Sequence, residues 1–412
     1  MNSTLTRLPH IAGTTTHDAR HRNLAAVFEA IRDQAGRSRK EIGKDMPFSL
    51  QTMTNIVTEL LDMGLVTEVD RASARARGNP HRGLSIVADR GFAVGVQFRW
   101  NACILSLVDL SLTEVDRTIV PITTLERDAD GYVESLLAAI GAFLEKHQAR
   151  DIWGIGLSGP IPLEVPNIPQ HARSLIATAG GRWFNSFFAR QSAEALRDRI
   201  ARQFRCPVSL LNNPQSAGLA EAMRQSTQAR FAYVQLGLGL GASVVSGRSV
   251  SQDIWRHGGE LGHVLYDGQT LSTILSASGL RESLALDVEQ GELELELGQL
   301  LDQQPDRFDP WLAEAAPILK FLVNFVEAAI WPDGIALGGF IPKPLLDLLI
   351  ARSLPLSDSV VMREGDPRRS MSRLFSAGDG ADAIPYGAAV SVLSYRANQA
   401  FPELIARRRS AA

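Results

Sequence analysis

The sequence predicts an α/β protein in which a small helical module precedes two similar lobes with a cleft between them. Three observations carry this. Residues 22–64 hold three helix-type segments, followed by two strand-type runs that flank a basic loop. From residue 90 a pattern of three hairpin-linked strands and then alternating helix and strand runs twice. The composition is that of a globular chain: 412 residues, 45% hydrophobic and 21% charged. At roughly 150 residues per domain, that length corresponds to two to three domains.

Composition also excludes some classes. The net charge of −3 rules out a polycation, so any nucleic-acid binding must come from a local patch. Two cysteines, Cys103 and Cys206, exclude a disulfide scaffold and a cysteine-rich zinc site, and they fit a reducing compartment. His10, His17, Asp18, Arg20 and Arg22 interrupt any secretory-type pattern in the first 30 residues. The apolar stretch at 316–342 is broken by Lys320, Asn324, Glu327 and Asp333, and 231–246 reads as a glycine-rich hairpin. The expectation is a soluble cytoplasmic protein with no membrane association.

Residues 1–20 are expected to be disordered and 21–89 to form the first module. Leu24, Val27, Phe28 and Ile31 have helical spacing over 22–35, and Gly36 ends that helix. Ser38 and Glu41 have the capping-box spacing for a short helix to about Asp45, which Pro47 breaks. Ser49 is the next N-cap. Met53, Ile56, Val57, Leu60 and Leu61 then form one apolar stripe, closed by Gly64. Gln51, Thr52, Asn55 and Thr58 lie off that stripe and suit base edges and phosphates. Strands are expected at 65–69 and 84–87. The loop between them carries Arg71, Arg75, Arg77 and Arg82.

Three helices followed by a β-hairpin with a basic tip form a winged helix-turn-helix. Residues 1–90 hold thirteen Lys and Arg against ten Asp and Glu, whereas the remainder holds 29 against 35. The third helix would enter the major groove and the wing would reach phosphates or the minor groove. The candidate DNA contacts are Ser49, Gln51, Thr52, Asn55, Arg71, Arg75, Arg77 and Arg82. A helical interaction module with a polar face is the competing reading. The capping box, stripe and basic wing together favour the DNA-binding one.

In the body, strands are expected at 93–99, 102–109, 114–119, 152–157, 207–211, 231–236, 242–247 and 335–337. Helices are expected at 130–147, 186–204, 214–225, 278–292, 311–330 and 385–398. One lobe spans 90–212, completed by 384–400, and the other spans 213–383. Residues 401–412, with Arg407, Arg408 and Arg409, are expected as a disordered tail. Small ligands bind in clefts between such lobes.

Five short motifs occur in this order: Gly154-Ile155-Gly156-Leu157-Ser158-Gly159-Pro160; Asn212-Asn213 with Ala217 and Glu221; Gly237–Gly241; Gly258-Gly259-Glu260-Leu261-Gly262-His263; and Ile335-Ala336-Leu337-Gly338-Gly339. With the winged helix ahead of them, the chain resembles the ROK family of repressors, open reading frames and sugar kinases, over about residues 20–398. The resemblance implies an actin-like, sugar-kinase ATPase fold for the body and places the chain with the repressor branch, which carries the DNA-binding module.

The departures from the family pattern bear on function. The family's kinases use as base the Asp that follows an Asn, and here that position is Asn213, an amide that cannot take up a proton at neutral pH. The first phosphate loop of those kinases resembles Asp-x-Gly-Gly-Thr, matched here by Gln97-Phe98-Arg99-Trp100-Asn101. Gly237, Gly239 and Gly241 remain in the second loop, but Leu238 stands where a hydroxyl is usual, so they are expected to serve a hairpin turn. The family's zinc site uses the motif His and three cysteines, yet 264–281 has no cysteine beside His263, so no metal is expected. A further family glutamate aligns with Ile274.

Sugar recognition survives these departures. Glu260 and His263 at i, i+3 would face one ligand, and the resemblance implies that these positions bind sugar hydroxyls. Asn212 and Asn213 would add neutral hydrogen bonds, or instead cap the following helix. Gly159 would allow close approach of the ring. The expected ligand-binding residues are therefore Gly159, Asn212, Asn213, Glu260 and His263, with no catalytic residue and no cofactor. The expected function is a sugar-responsive transcriptional regulator, a homodimer or tetramer on an operator. The alternatives are a regulator controlled by a protein partner, with a degenerate sugar site, and, least favoured, an active sugar kinase.

Overall fold

A computed structural model describes residues 16–70, 82–122, 129–160, 192–225, 229–250, 259–286, 290–358, 371–398 and 400–408. They divide into two units. One holds the described residues up to Arg90 together with 400–408, and the other is Gly91–Asn398.

The first unit starts with α1 (Thr16–Asp33), α2 (Arg39–Gly43) and α3 (Leu50–Asp62). An antiparallel pair follows, β1 (Val66–Val69) and β2 (Gly83–Ile86). The Ser38 capping box is formed: the Ser38 hydroxyl accepts from the Glu41 N–H at 3.4 Å, and the Glu41 carboxylate accepts from the Ser38 N–H at 2.8 Å. Met53, Ile56, Val57 and Leu60 of α3 are buried, as the stripe requires. The hairpin is stitched to the helices. The Gly36 N–H donates to the Leu84 carbonyl at 2.8 Å, and the Leu84 N–H to the Arg37 carbonyl at 2.9 Å. A Cβ at Gly83 would lie 2.4 Å from the Gly36 oxygen, so β2 runs against that turn with no room for a side chain. This is the winged helix-turn-helix arrangement.

Two expectations fail at the ends of this unit. Residues 16–20 are helical, not disordered, and Arg20 donates to Glu59 at 2.7 Å, tying α1 to α3. Residues 1–15 lie outside the described residues. The expected tail instead contains a helix, Phe401–Arg408, within the first unit. Phe401, Leu404 and Ile405 fall on one helical face and are buried, with the Phe401 ring 5.9 Å from that of Phe28 in α1. The burial of that face outweighs the repulsion of the neighbouring arginines, which drew the tail assignment.

In the second unit, the first sheet contains β3 (Phe92–Phe98), β4 (Ala102–Asp109), β5 (Glu114–Pro121), β6 (Ile152–Gly159) and β7 (Val208–Asn212). Its order is β5-β4-β3-β6-β7, with an antiparallel meander on one side and β6 and β7 parallel to β3 on the other. Helices α4 (Ala129–Lys146) and α5 (Ala193–Phe204) belong to this half, and α6 (Asn213–Arg224) follows β7 directly.

The second half repeats the pattern with β8 (Arg230–Leu236), β9 (Leu240–Ser246) and β10 (Ser249–Val250). Beyond the short pair β11 (Leu265–Tyr266) and β12 (Gln269–Thr270) come α7 (Leu271–Ile274), α8 (Ala277–Ser283), α9 (Gln290–Gln303) and α10 (Asp309–Ile330). Then follow β13 (Gly334–Gly339), α11 (Lys343–Arg352), β14 (Leu374–Ser376) and α12 (Ala383–Leu393). The sheet order is β10-β9-β8-β13-β14, again a meander joined to parallel strands.

Two expected helices differ in extent. The helix expected at 278–292 is two helices: α8 stops at Ser283, Ala285 takes φ 50°, and α9 begins at Gln290. The helix expected at 385–398 ends at Leu393, where Ser394 turns extended. The segment 186–191 and the loop 163–182 lie outside the described residues.

Helix α12 lies across the first sheet, and small residues let it come close. A Cβ at Gly95 or Gly156 would sit 1.8 Å from the Pro385 or Ala388 oxygen. A Cβ at Gly387 would sit 1.8 Å from the Ser216 oxygen of α6. Elsewhere, α10 is pinned to the residue before β14 by a buried bidentate pair, Arg373 to Glu327 at 2.9 and 2.8 Å.

If the C-terminal helix completes the core of the first unit, Phe401→Ala should cost about 3–5 kcal/mol there. Hydrogen exchange in α1 should accelerate accordingly. Unchanged protection of α1 would return the segment to the status of a solvated tail.

Candidate functional site

Two places gather the residues singled out above, one in each unit. In the first unit, Ser49 caps α3, accepting from the Thr52 N–H at 3.1 Å, and its hydroxyl lies 2.9 Å from that of Thr52. One turn on, the Gln51 amide donates to Asn55 at 3.1 Å. Gln51, Thr54, Asn55 and Thr58 are exposed on the face opposite the buried stripe, with Leu50 at 64% exposure beside them. The helix thus presents amides and hydroxyls, with an apolar residue suited to a thymine methyl. Arg82, at the base of the hairpin, pairs with Glu68 at 3.3 Å. Glu68 also holds Arg39 of α2 at 2.9 Å, a basic residue that the sequence reading did not select. Arg71, Arg75 and Arg77 lie outside the described residues.

In the second unit a cleft opens between the two halves, with a volume of about 190 Å³. Residues 98–101, the end of β3 and the turn into β4, line one side along with Pro160. Asn212, Asn213 and Pro214 stand at the junction of β7 and α6, and Gln235, Gly237–Ala242, Gly259, Glu260 and Phe340 complete the lining.

Asn212 and Asn213 come to the cleft in different states. Asn212 is the N-cap of α6: its side-chain oxygen accepts from the Gln215 N–H at 2.9 Å, and Gln215 returns a bond at 3.0 Å. This is the capping alternative, and it occupies the amide oxygen. Asn213 is 8% exposed. Ser216 donates to Ser158 at 2.8 Å, and Ser158 donates to the Asn213 oxygen at 3.2 Å. That chain of donors leaves the Asn213 NH2 to act only as a donor to a ligand.

Gly259 takes φ +87°, and a Cβ on it would meet the Ala242 oxygen at 2.2 Å. Its carbonyl accepts from the Ala242 N–H at 2.8 Å, which docks the segment on β9 and brings Glu260 into the lining. Burial pushes the Glu260 carboxyl up to about 6. His263 lies outside the lining, in the turn that follows, with Nε2 3.7 Å from the Glu260 carboxylate. Gly159 also lies outside it. A Cβ there would strike the Phe98 ring at 2.2 Å, so this glycine makes room for Phe98, itself part of the lining. Gly237 and Gly239 close the β8–β9 hairpin through a 2.9 Å bond. Ile274 is buried, and its carbonyl accepts from the Trp311 indole at 3.0 Å.

The sequence reading also passed over Arg99, Trp100, Gln235 and Phe340 as ligand contacts. The guanidinium of Arg99 sits over the Phe340 ring, 4.9 Å from its centroid. The available signal was the placing of two large polar-tipped residues where the family has glycines.

Comparison with known proteins now adds the family. The ROK family model matches residues 105–281. Over that stretch the chain is similar to the ROK family. An uncharacterized protein, y4fQ, of Sinorhizobium fredii is 27% identical, covering 83% of this chain and 87% of its own. The DNA-binding transcriptional dual regulator NagC of Escherichia coli is 25% identical, over 59% of this chain and 57% of its own length. Among solved structures, a ROK family transcriptional regulator, a homologue of the E. coli MLC protein, superposes with a TM-score of 0.69 at 20% identity, covering 96% of this chain and 100% of its own. A ROK hexokinase from Thermus thermophilus superposes with a TM-score of 0.51 at 22% identity, over 74% of this chain and 98% of its own. These likenesses establish the actin-like ROK fold of the second unit, and the first of them extends over the winged helix too. No helix among the described residues is long and apolar enough to cross a membrane.

The raised Glu260 value has a definite sign. The folded state holds this proton more tightly than the unfolded chain, so ionisation costs stability as pH rises from about 4.5 toward 6. Glu260→Gln should therefore stabilise the protein more at pH 7.5 than at pH 4.5, by a small amount because the side chain keeps 38% exposure. Paired thermal melts at the two pH values check this.

Proposed function

We propose that this protein is a DNA-binding transcriptional regulator whose ROK domain takes a sugar or sugar derivative in its cleft and performs no phosphoryl transfer. The observation that carries the reading is the state of Asn213, a buried amide held by the Ser158–Ser216 chain where a kinase needs a carboxylate base. The winged helix-turn-helix ahead of it supplies an output. NagC and the MLC homologue, both described as transcriptional regulators, are in keeping with a repressor role.

In this reading α3 enters the major groove with Gln51 and Asn55, and Ser49 and Thr52 lie at its N-terminus near phosphate. The hairpin arginines Arg71, Arg75, Arg77 and Arg82 meet the backbone or the minor groove. Two copies of the chain bind a pseudo-palindromic operator. Glu260 accepts ligand hydroxyls and Asn213 donates to them. The ligand changes operator affinity only as far as it prefers one arrangement of the lobes over the other.

The test is fluorescence anisotropy of the purified protein on DNA flanking its own gene, titrated with monosaccharides and their derivatives. Saturable, salt-sensitive binding that one compound shifts is the expected result. Operator binding that no compound shifts would move control to a protein partner. Asn55→Ala should cost about 1–3 kcal/mol and relax sequence preference. Arg75→Ala with Arg77→Ala should weaken binding to all sequences and lower the salt slope by about 1 per lost phosphate contact. ATP-dependent phosphorylation of any hexose by the protein would overturn the non-catalytic part of the reading.

A further inference from the structure

Buried polar atoms without a hydrogen-bond partner gather at this cleft. Among the described residues they include Arg99 Nε, Trp100 Nε1 and Gln235 Oε1, all from residues of the lining. Gln97 Nε2 is another, one residue into β3. Buried polar groups are ordinarily satisfied, so this cluster beside a cavity calls for partners that the described residues do not supply.

Arg99 is the most demanding of these. Its backbone is fixed: the N–H donates to the Ala102 carbonyl at 2.8 Å, and the carbonyl accepts from the Tyr132 hydroxyl at 2.7 Å. The guanidinium makes one hydrogen bond, from Nη2 to the neutral Gln97 amide at 3.2 Å. No carboxylate of the described residues lies within 4.0 Å of it, the limit for an ion pair. Asp382 and Glu294 act on it only from farther away, and Arg117 opposes them. Burial also raises the Glu294 carboxyl to about 7, which weakens it as a counter-charge near neutrality. Arg99 is half-buried, and a cation held there without a direct partner is costly, a cost that an anion supplied by a ligand relieves.

The two sides of the cleft are chemically distinct. The first half lines the cleft with donor residues, Arg99 and Trp100, whose Nε and Nε1 lie unpaired just beneath its surface. The second half lines it with Glu260 and with Gln235, whose Oε1 is likewise unpaired beneath the surface. Hydroxyls match the acceptors, and an anionic oxygen group matches the donors.

We propose that the ligand of this cleft is an anionic sugar derivative, bearing a carboxylate or a phosphate, and that Arg99 with Trp100 receives the anionic group. This rests on the reading of the cleft as a sugar site and narrows it. Arg99 offers its free donors to the anion while remaining stacked on Phe340.

The experiment is calorimetric titration of the full chain with matched sets: glucose, glucuronate and glucose 6-phosphate; galactose, galacturonate and galactose 6-phosphate; N-acetylglucosamine and its 6-phosphate. One charged member should bind at least about tenfold tighter than its neutral parent. Which member does so separates carboxylate from phosphate. Arg99→Gln should abolish that preference, bringing parent and derivative within about threefold, and Arg99→Lys should restore part of it. Trp100→Phe keeps the ring and removes the donor, and it should weaken the charged member alone. An arginine serving only the fold would lower affinity for neutral and charged members together, and that result overturns the proposal. A neutral sugar that binds as tightly as its charged derivatives overturns it too, while leaving the sugar site standing. If no member binds while operator binding is intact, the sugar reading and the proposal fall together.

Discussion

The cleft depends on the contact of two helix backbones. Gly387 of α12 meets Ser216 of α6 so closely that a methyl group could not be inserted, and on its other side α12 rests on Gly95 and Gly156 of the first sheet. Interiors packed this tightly do not deform continuously. The small residues set where α6 begins relative to β6, and so where Asn212 and Asn213 stand. Ser216, whose carbonyl touches α12, also starts the hydroxyl chain that orients Asn213. The joint between the halves and the polarity of the ligand site share one turn of helix.

That coupling bears on the proposal that the cleft performs no phosphoryl transfer. An amide at position 213 holds the geometry of a hydrogen-bonded side chain but gives up proton transfer. The loop at 99–101 then carries side chains in place of glycines, so lining that would have admitted phosphates through backbone N–H groups offers a guanidinium and an indole instead.

Much of the fold was legible because local signals agreed with one another. The capping box at Ser38, the stripe of α3 and the bounds of β4 are found where the residue pattern places them, since propensity, capping and burial point the same way there. The misses have physical causes. The break between α8 and α9 runs through Ala285 in a left-handed conformation, with no glycine or proline at that residue to announce it. The C-terminal helix has a clear apolar face, but it is short and ends in arginines, and only α1 across the chain makes it worth forming. In the site, Glu260 could be found from a motif. Arg99 could not, because its meaning lies in the absence of a nearby carboxylate. At Gly159 the sequence could not show that the glycine makes room for the Phe98 ring.

The return of residues 401–408 to the first unit makes that unit discontinuous in sequence. A ribosome finishes the three helices and the hairpin long before it reaches Phe401. Until then α1 has no partner for the face that receives Phe401, Leu404 and Ile405. The N-terminal module therefore gains its full core only after every residue of the second unit has been made. Chains that stop early therefore carry the winged helix-turn-helix on an incomplete scaffold.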